Sequence, residues 1–397
     1  MHRVRVLLAP DSFGSSLTAD EAAATIAGSW RSTAPLDEVL TCPLSDGGPG
    51  FVATLHASLG GDLVPATVTS PIGEAVPVVL LLVGTTAYLE TAQVIGLPLV
   101  PADRRDPTTT TSRGVGELLA VALGAGATRV VVGLGGSATN DAGAGALAGL
   151  AEALGVPGLP ADALGAGGGI LGAVTASDLA GLRDLRDRLR EIELVVATDV
   201  DVPLLGLQGA SAGFAPQKGA TPEQAQALER ALAEFAHVSI AALGDAVRPD
   251  LLAGSRAASP VTRLTTAPGA GAAGGLGFGL ALLGGRLVPG AAFVADAVGL
   301  DERIAGSDVV VTGEGRFDWQ SLHGKVVSEV AARALAHGVP TVVLAGEVLV
   351  GRRELSAAGI TAAYAVSETA DQVTAALAAP AASLAARAAR VARTWSR

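Results

Sequence analysis

Short apolar runs, each ended by a glycine-rich or polar turn and followed by a helical pattern, recur along this chain. They cover residues 4–9, 76–83 with 87–90, 129–133, 194–198, 308–312, 341–345 and 361–366. Continuous apolar strands fit a sheet buried on both faces, and the helices between them supply the crossovers that parallel strands require. The alternation predicts an α/β fold with a largely parallel sheet. Thr18-Ala-Asp-Glu21 and Thr221-Pro-Glu-Gln224 read as capping boxes, opening helices to about Trp30 and Leu243. Further helices are expected over 116–123, 144–154, 179–190, 327–336 and 370–394, and a long loop over 155–176. No internal repeat is visible, which argues against a solenoid.

Composition narrows the function class. With 27 basic against 38 acidic residues the net charge is −11, a poor match for sequence-independent nucleic-acid binding. The single cysteine, Cys42, excludes an intrachain disulfide framework and multi-cysteine zinc sites. The uncharged stretch between Arg263 and Arg286 holds eight glycines and Pro268, too little apolar bulk for a membrane span. No signal-peptide pattern precedes the first strand, so a cytoplasmic protein is expected, with no membrane and no nucleic-acid partner. Only Lys218 and Lys325 among the 27 basic residues are lysine, and Asn140 is the single asparagine. All three lie in polar, glycine-rich stretches.

Six polar clusters fall directly after expected strands, where loops at the carboxyl ends of parallel strands form sites. Ala9-Pro-Asp-Ser-Phe-Gly places Asp11 and Ser12 where they could hold a hydroxyl or a cation, although Asp-Ser after Pro is also ordinary turn chemistry. Ser45-Asp-Gly-Gly-Pro-Gly offers Asp46 beside flexible glycines. The hydroxyl-rich run from Arg105 to Leu118 enters a helix, an arrangement that attracts anions, with Arg113 as a bidentate partner for a carboxylate. The clearest signal is Gly133-Leu-Gly-Gly-Ser-Ala-Thr-Asn-Asp141. There a strand breaks into small residues, Gly135, Gly136 and Ser137, whose N–H groups could cradle phosphate, and Asn140 beside Asp141 suggests an amide and a carboxylate aimed at one ligand. It matches neither the Walker A spacing nor Gly-x-Gly-x-x-Gly. Asp199 ends the next strand, and Lys218 sits in Pro216-Gln-Lys-Gly219. The last cluster, Thr312-Gly-Glu-Gly-Arg-Phe-Asp-Trp-Gln320 through Lys325, carries Glu314 and Asp318; the nearby His323 receives no role. The glycines of 268–279 read as close-packed backbone at a loop–helix junction.

Taken in order, these motifs resemble the bacterial glycerate kinases of the garate/glyoxylate-pathway type. The likeness rests on Ala9-Pro-Asp-Ser-Phe, Arg105-Asp-Pro with Gly-Val-Gly-Glu-Leu118, Gly135-Gly-Ser-Ala-Thr-Asn-Asp141, Pro216-Gln-Lys-Gly-Ala220, Gly269–Gly275 and Thr312–Gln320. The resemblance implies ATP-dependent phosphorylation of D-glycerate with Mg²⁺, usually to 2-phosphoglycerate, the 3-phosphate being the other outcome. It also implies a discontinuous Rossmann-like domain, set at 1–65 and 287–397, a second α/β domain inserted as 66–286, and a cleft between them. A homo-oligomer is left open.

Several positions depart from the family pattern. Gly14 stands where Lys is usual, Pro49 and Phe51 where Glu and Thr are, Val115 for Thr, Ala142 for Gly, Val202 for Asn and Val327 for Pro. Phosphoryl transfer depends on positioning and charge stabilisation, so these changes keep two further readings open: a weakly active or non-catalytic paralogue, and a kinase of another small hydroxy-acid. On the kinase reading, Asp11, Ser12 and Arg113 bind substrate, and Asp46 or Asp199 accepts the hydroxyl proton. Lys218 stabilises the transferring group. Gly135, Gly136, Ser137, Asn140, Glu314, Asp318 and Lys325 bind nucleotide phosphates, and Asp141 or Asp199 holds the metal.

Overall fold

The computed structural model describes residues 3–247, 260–322 and 324–396; His323 lies outside them. The strands in chain order are β1 (Arg5–Leu8), β2 (Glu38–Thr41), β3 (Asp62–Thr69), β4 (Ala75–Val83), β5 (Thr86–Glu90), β6 (Arg129–Leu134), β7 (Glu193–Thr198), β8 (Arg286–Pro289), β9 (Val309–Thr312), β10 (Arg316–Phe317), β11 (Thr341–Ala345), β12 (Glu347–Val348) and β13 (Ile360–Ala365). Two compact units divide them. One comprises Met1–Asp46, Ala53–Gly60 and Gly290–Arg397; the other comprises Gly47–Val52 and Gly61–Pro289.

The first unit is built on a parallel sheet of order β13-β11-β9-β1-β2. Its central strands are buried end to end, the condition for a sheet covered on both faces. One face packs Val6, Leu8, Val309 and Val311 under helices Ala19–Thr33 and Pro380–Trp395, where Ile26, Trp30, Leu384 and Val391 are buried. The other face packs Val343 and Ala345 against Val327 and Ala331 of helix Val326–Ala336. Trp30 is wholly buried, worth roughly 2–3 kcal/mol of apolar burial, and its indole N–H donates to Asp37 Oδ2 at 2.9 Å. The chain leaves β1 for β2 on one side, and β9 and β11 lie on the other. The carboxyl ends of β1 and β9 therefore flank a topological switch point.

The second unit carries a mixed sheet of order β3-β4-β5-β6-β7-β8, antiparallel from β3 to β5 and parallel onward. Its core holds helix Arg113–Gly124 unusually close to helix Ala144–Leu154. A Cβ on Gly116 would lie 2.0 Å from Ala146 O, and one on Gly149 2.4 Å from Arg113 O, so small residues set the spacing.

Both expected capping boxes form, at Thr18–Glu21 and Thr221–Gln224. The expected loop over 155–176 instead contains helix Ala161–Leu164 and the 3-10 stretch Gly168–Ala173, because Leu164 and Leu171 are fully buried and anchor local turns. The expected helix over 370–394 is two, Ala370–Ala378 and Pro380–Trp395: Pro380 has no N–H to continue the first and is well placed to start the second. Strands β2, β3, β8 and the two-residue strands β10 and β12 escaped the sequence reading, β3 because Pro65 breaks its pattern at the edge of the sheet. The glycines of 268–279 do sit at a helix entry, with left-handed backbone from Ala273 to Gly275. Among the described residues no helix is long and apolar enough to cross a membrane.

Candidate functional site

In the second unit, β6 runs out into Gly135-Gly136-Ser137. The neighbouring turn Gly47–Gly50 lies directly on it. A Cβ on Gly133 would meet Gly47 O at 2.6 Å, and one on Gly135 would meet Gly48 Cα at 2.7 Å. Gly133 and Gly135 are thus a steric requirement of two stacked turns, and Gly136 takes left-handed backbone (φ +65) against Pro49. Asp199 Oδ2 lies 3.2 Å from the same Gly135 position. Lys218, on the 3-10 turn Pro216–Lys218, is 3% exposed, and its Nζ donates to Ser137 Oγ at 2.8 Å and Thr139 O at 2.7 Å. Burial pushes this ammonium down to about 7, against the opposing pull of Asp141 and Asp199. Ser137, Asp199, Lys218 and both glycines line a cavity of about 350 Å³ whose other wall is apolar, with Leu97, Pro98 and Phe214. A buried cation facing glycine backbone is equipped to receive an anion.

The residues around this turn divide by task. Asn140 is fully buried; its Nδ2 donates to Ser211 Oγ at 3.0 Å, while Oδ1 is buried without a hydrogen-bond partner. Asp141, expected as a metal ligand, accepts from Ser112 N (2.7 Å), Ser112 Oγ (2.8 Å), Gly143 N (3.1 Å) and Gly145 N (3.3 Å). Burial raises its pKa and these bonds lower it. Four donors on two oxygens make it a tie between the starts of two packed helices and leave little capacity for a cation. Arg113, expected to clamp a ligand carboxylate, donates instead to Glu117 Oε1 at 2.9 Å and Glu152 Oε2 at 2.7 Å. Its position in the first helical turn aims it at Glu117 one turn on and at the neighbouring helix.

In the first unit the backbone ladder continues past the strands. Asp11 N donates to Gly313 O at 2.9 Å, Leu44 N to Pro10 O at 2.9 Å, and Gly346 N to Glu314 O at 3.0 Å. This brings the loops carrying Asp11, Asp46 and Glu314 to the ends of three adjacent strands, β1, β2 and β9. Asp11 is pushed well above the ordinary carboxyl range by burial and by Asp46. The Ser12 N–H at 2.6 Å opposes this, Glu314 adds to it and Lys325 counters it. Glu314 is pushed up to about 7 by burial; a hydrogen bond from Ser321 and the charge of Lys325 pull down, and Asp46 and Asp318 push up. Its Oε1 is buried with no hydrogen-bond partner. Lys325 is the N-cap residue of helix Val326–Ala336. Asp318 turns back on its own loop, accepting from Gln320 N at 2.8 Å and pairing with Arg316 at 3.8 Å.

Asp11, Asp46, Glu314 and Lys325 thus form one cluster in the first unit. Gly135, Gly136, Ser137, Asp199 and Lys218 form another in the second. Asn140 and Asp141 lie buried beside the second, Arg113 is tied into helix packing, and Ser12 contributes its backbone N–H. Sequence reasoning missed Glu90, a buried carboxylate ending β5, and Ser321; the signal for Glu90 was a charge closing an apolar run. Among the described residues no group of three or more His, Cys, Asp or Glu could hold a metal ion.

Comparison with known proteins gives one consistent result. The glycerate kinase family model matches residues 6–396. A glycerate kinase of Bacillus subtilis is 39% identical over 368 residues, 91% of this chain and 90% of that protein. A glycerate 2-kinase of Escherichia coli K12 is likewise 39% identical over 368 residues, with the same shares covered. A crystal structure assigned to glycerate kinase 2 of Salmonella typhimurium LT2 aligns with a TM-score of 0.76 at 37% identity, covering 99% of this chain and 98% of that one. The family match runs from β1 to the last helix and takes in both clusters, and the chain belongs to the glycerate kinase family.

Proposed function

We propose that this kinase transfers the γ-phosphoryl group of ATP to the 2-hydroxyl of D-glycerate, giving 2-phosphoglycerate and ADP. The observation that carries the reading is the buried Lys218 held against Gly135–Ser137 at the end of β6. The position of transfer is supported by the Escherichia coli relative, which is named a glycerate 2-kinase. In the step, the glycerate oxygen forms a bond to the γ-phosphorus as the bond to the ADP oxygen breaks, and the hydroxyl proton passes to a carboxylate. Lys218 and Ser137 hold phosphoryl oxygens, and charge fixed before the reaction is where such enzymes gain most of their rate. Asp46 orients the hydroxyl and accepts its proton. Asp11 and Ser12 bind the substrate hydroxyls, and Lys325 binds nucleotide phosphate. Arg113 and Asp141 hold the packed helices together, because protein partners occupy both.

Mg²⁺ accompanying ATP needs only one or two protein carboxylates beside phosphate oxygens, and Asp199 on the cavity wall fits that requirement. When bound, the ion would neutralise phosphate charge. Asn140, Glu314 and Asp318 support the loops around the bound phosphates. A coupled ADP-release assay with D-glycerate and related hydroxy-acids tests the reading. Lys218→Ala and Asp199→Asn should each depress turnover far more than stability; if both keep the unsubstituted rate, the assignment is wrong. A kinase of another hydroxy-acid is favoured by one feature, Pro49 in the cavity wall, and would show as a preferred substrate other than glycerate.

A further inference from the structure

Glu90 ends β5 and is 6% exposed, yet it faces no cation among its described partners. Its Oε1 accepts from Gly50 N at 2.9 Å and its Oε2 from Val52 N at 3.1 Å. Gln93 Nε2 reaches the same Oε2 at 3.3 Å, while Gln93 Oε1 accepts from Val79 N at 3.1 Å and is held in place by β4. The next residue performs the matching task on the other turn: Thr91 N and Oγ1 both donate to Gly133 O, at 3.1 and 2.9 Å. Further along, Leu97 N donates to Gly136 O at 2.8 Å and Ala138 N to Ile95 O at 2.7 Å. The segment from Glu90 to Leu97 therefore grips both stacked glycine turns, one by a carboxylate and one by backbone and hydroxyl.

This geometry has little slack. Gly47 has φ +100, and a Cβ there would lie 2.9 Å from Ala197 O; the Phe51 ring sits 2.8 Å from the position a Cβ on Gly133 would take. Pro49, between Gly47 and Gly50, lines the same cavity as Gly136, Ser137 and Lys218. A shift of the Gly47–Val52 turn must therefore reshape the wall opposite Lys218.

We propose that Glu90 is a positioning residue for phosphoryl transfer: its carboxylate holds the Gly47–Val52 turn on Gly133–Gly136 and so sets the shape of the anion turn. This rests on the kinase reading above. A neutral amide can accept from only one of the two N–H groups and turns a donor toward the other. Misplacement on the scale of an ångström costs a phosphoryl site on the order of 100-fold in rate.

The test is Glu90→Gln and Glu90→Asp, read by steady-state kinetics with ATP and D-glycerate, by melting temperature, and by amide hydrogen exchange. For Glu90→Gln the expected result is a kcat lower by roughly 10–100-fold with KM for glycerate changed less than about threefold. Exchange should quicken at 47–52 and at 133–137 while the rest of the unit keeps its protection. Glu90→Asp, which keeps the charge, should recover part of the rate. An unchanged kcat overturns the proposal. So does exchange that quickens at 47–52 but not at 133–137, or throughout the unit, since either shows a structural role alone. Should the unsubstituted protein phosphorylate no glycerate, the kinase reading fails and the exchange pattern decides Glu90 separately.

Discussion

Lys218→Met removes one buried ammonium and keeps its stem, and the structure says what should follow. In the folded protein the lysine loses its proton near pH 7, whereas its ordinary value is 10.5. Between those values the unfolded chain holds one more proton than the folded one, so this group makes stability rise with pH. Each pH unit is worth about 1.4 kcal/mol, and the whole window on the order of 5 kcal/mol. Urea unfolding of both proteins between pH 6 and 11 measures the contribution as the difference between their stabilities, which cancels titrations common to both. That difference should be flat below pH 7 and then change steadily in favour of the unsubstituted protein. In kinetics, kcat/KM should fall above pH 7 as the free enzyme loses the charge, and Lys218→Met should lose about 100- to 1,000-fold in kcat. Lys218→Arg keeps the charge at every accessible pH and should flatten the alkaline limb. A stability difference that stays constant from pH 7 to 10.5 would refute the burial of a titrating lysine at this turn.

Three other perturbations follow from the packing. Glu314, raised from 4.5 to about 7, contributes stability that is complete below pH 4.5 and lost as pH rises through 7. Glu314→Gln should remove that loss, at most about 3 kcal/mol, as seen in unfolding at pH 5 and pH 8. Gly116→Ala drives a methyl to 2.0 Å from Ala146 O and should cost about 3 kcal/mol or more, or prevent folding, as chemical denaturation would show. Asp141→Ala orphans four buried donors and should cost about 3 kcal/mol or more, whereas a metal ligand would lose mainly metal-dependent activity; unfolding without metal separates the two.

What the sequence disclosed follows the range of each interaction. The central parallel strands β1, β6, β7, β9 and β11 betray themselves by unbroken apolar runs, and capping boxes by residues three apart, so both are legible; the short edge strands β2 and β8, interrupted by polar residues or ending on proline, are not. Lys218 stood out because arginine had replaced lysine nearly everywhere else. Arg113 reads as a ligand clamp in the sequence because Glu152, with which it pairs in the structure, lies 39 residues away on another helix. The other partner of Arg113, Glu117, sits at i+4 on the same helix and is visible in the sequence. Glu90 shows in the sequence only as a charge closing an apolar run, because its partners are backbone N–H groups some forty residues upstream, which no side-chain pattern records. The stacking of Gly47–Gly50 on Gly133–Gly136 likewise depends on two turns distant in sequence, although the glycines themselves were noticed.

The chemistry proposed here is tested most directly by ³¹P NMR of ATP and D-glycerate with the purified protein. Transfer to the 2-hydroxyl predicts a new phosphomonoester signal split by a single carbon-bound proton, growing in step with ADP, and slowed at least about 100-fold by Lys218→Met. A signal split by two such protons would mark the 3-hydroxyl as the acceptor. ATP left intact beside unchanged glycerate would contradict the account.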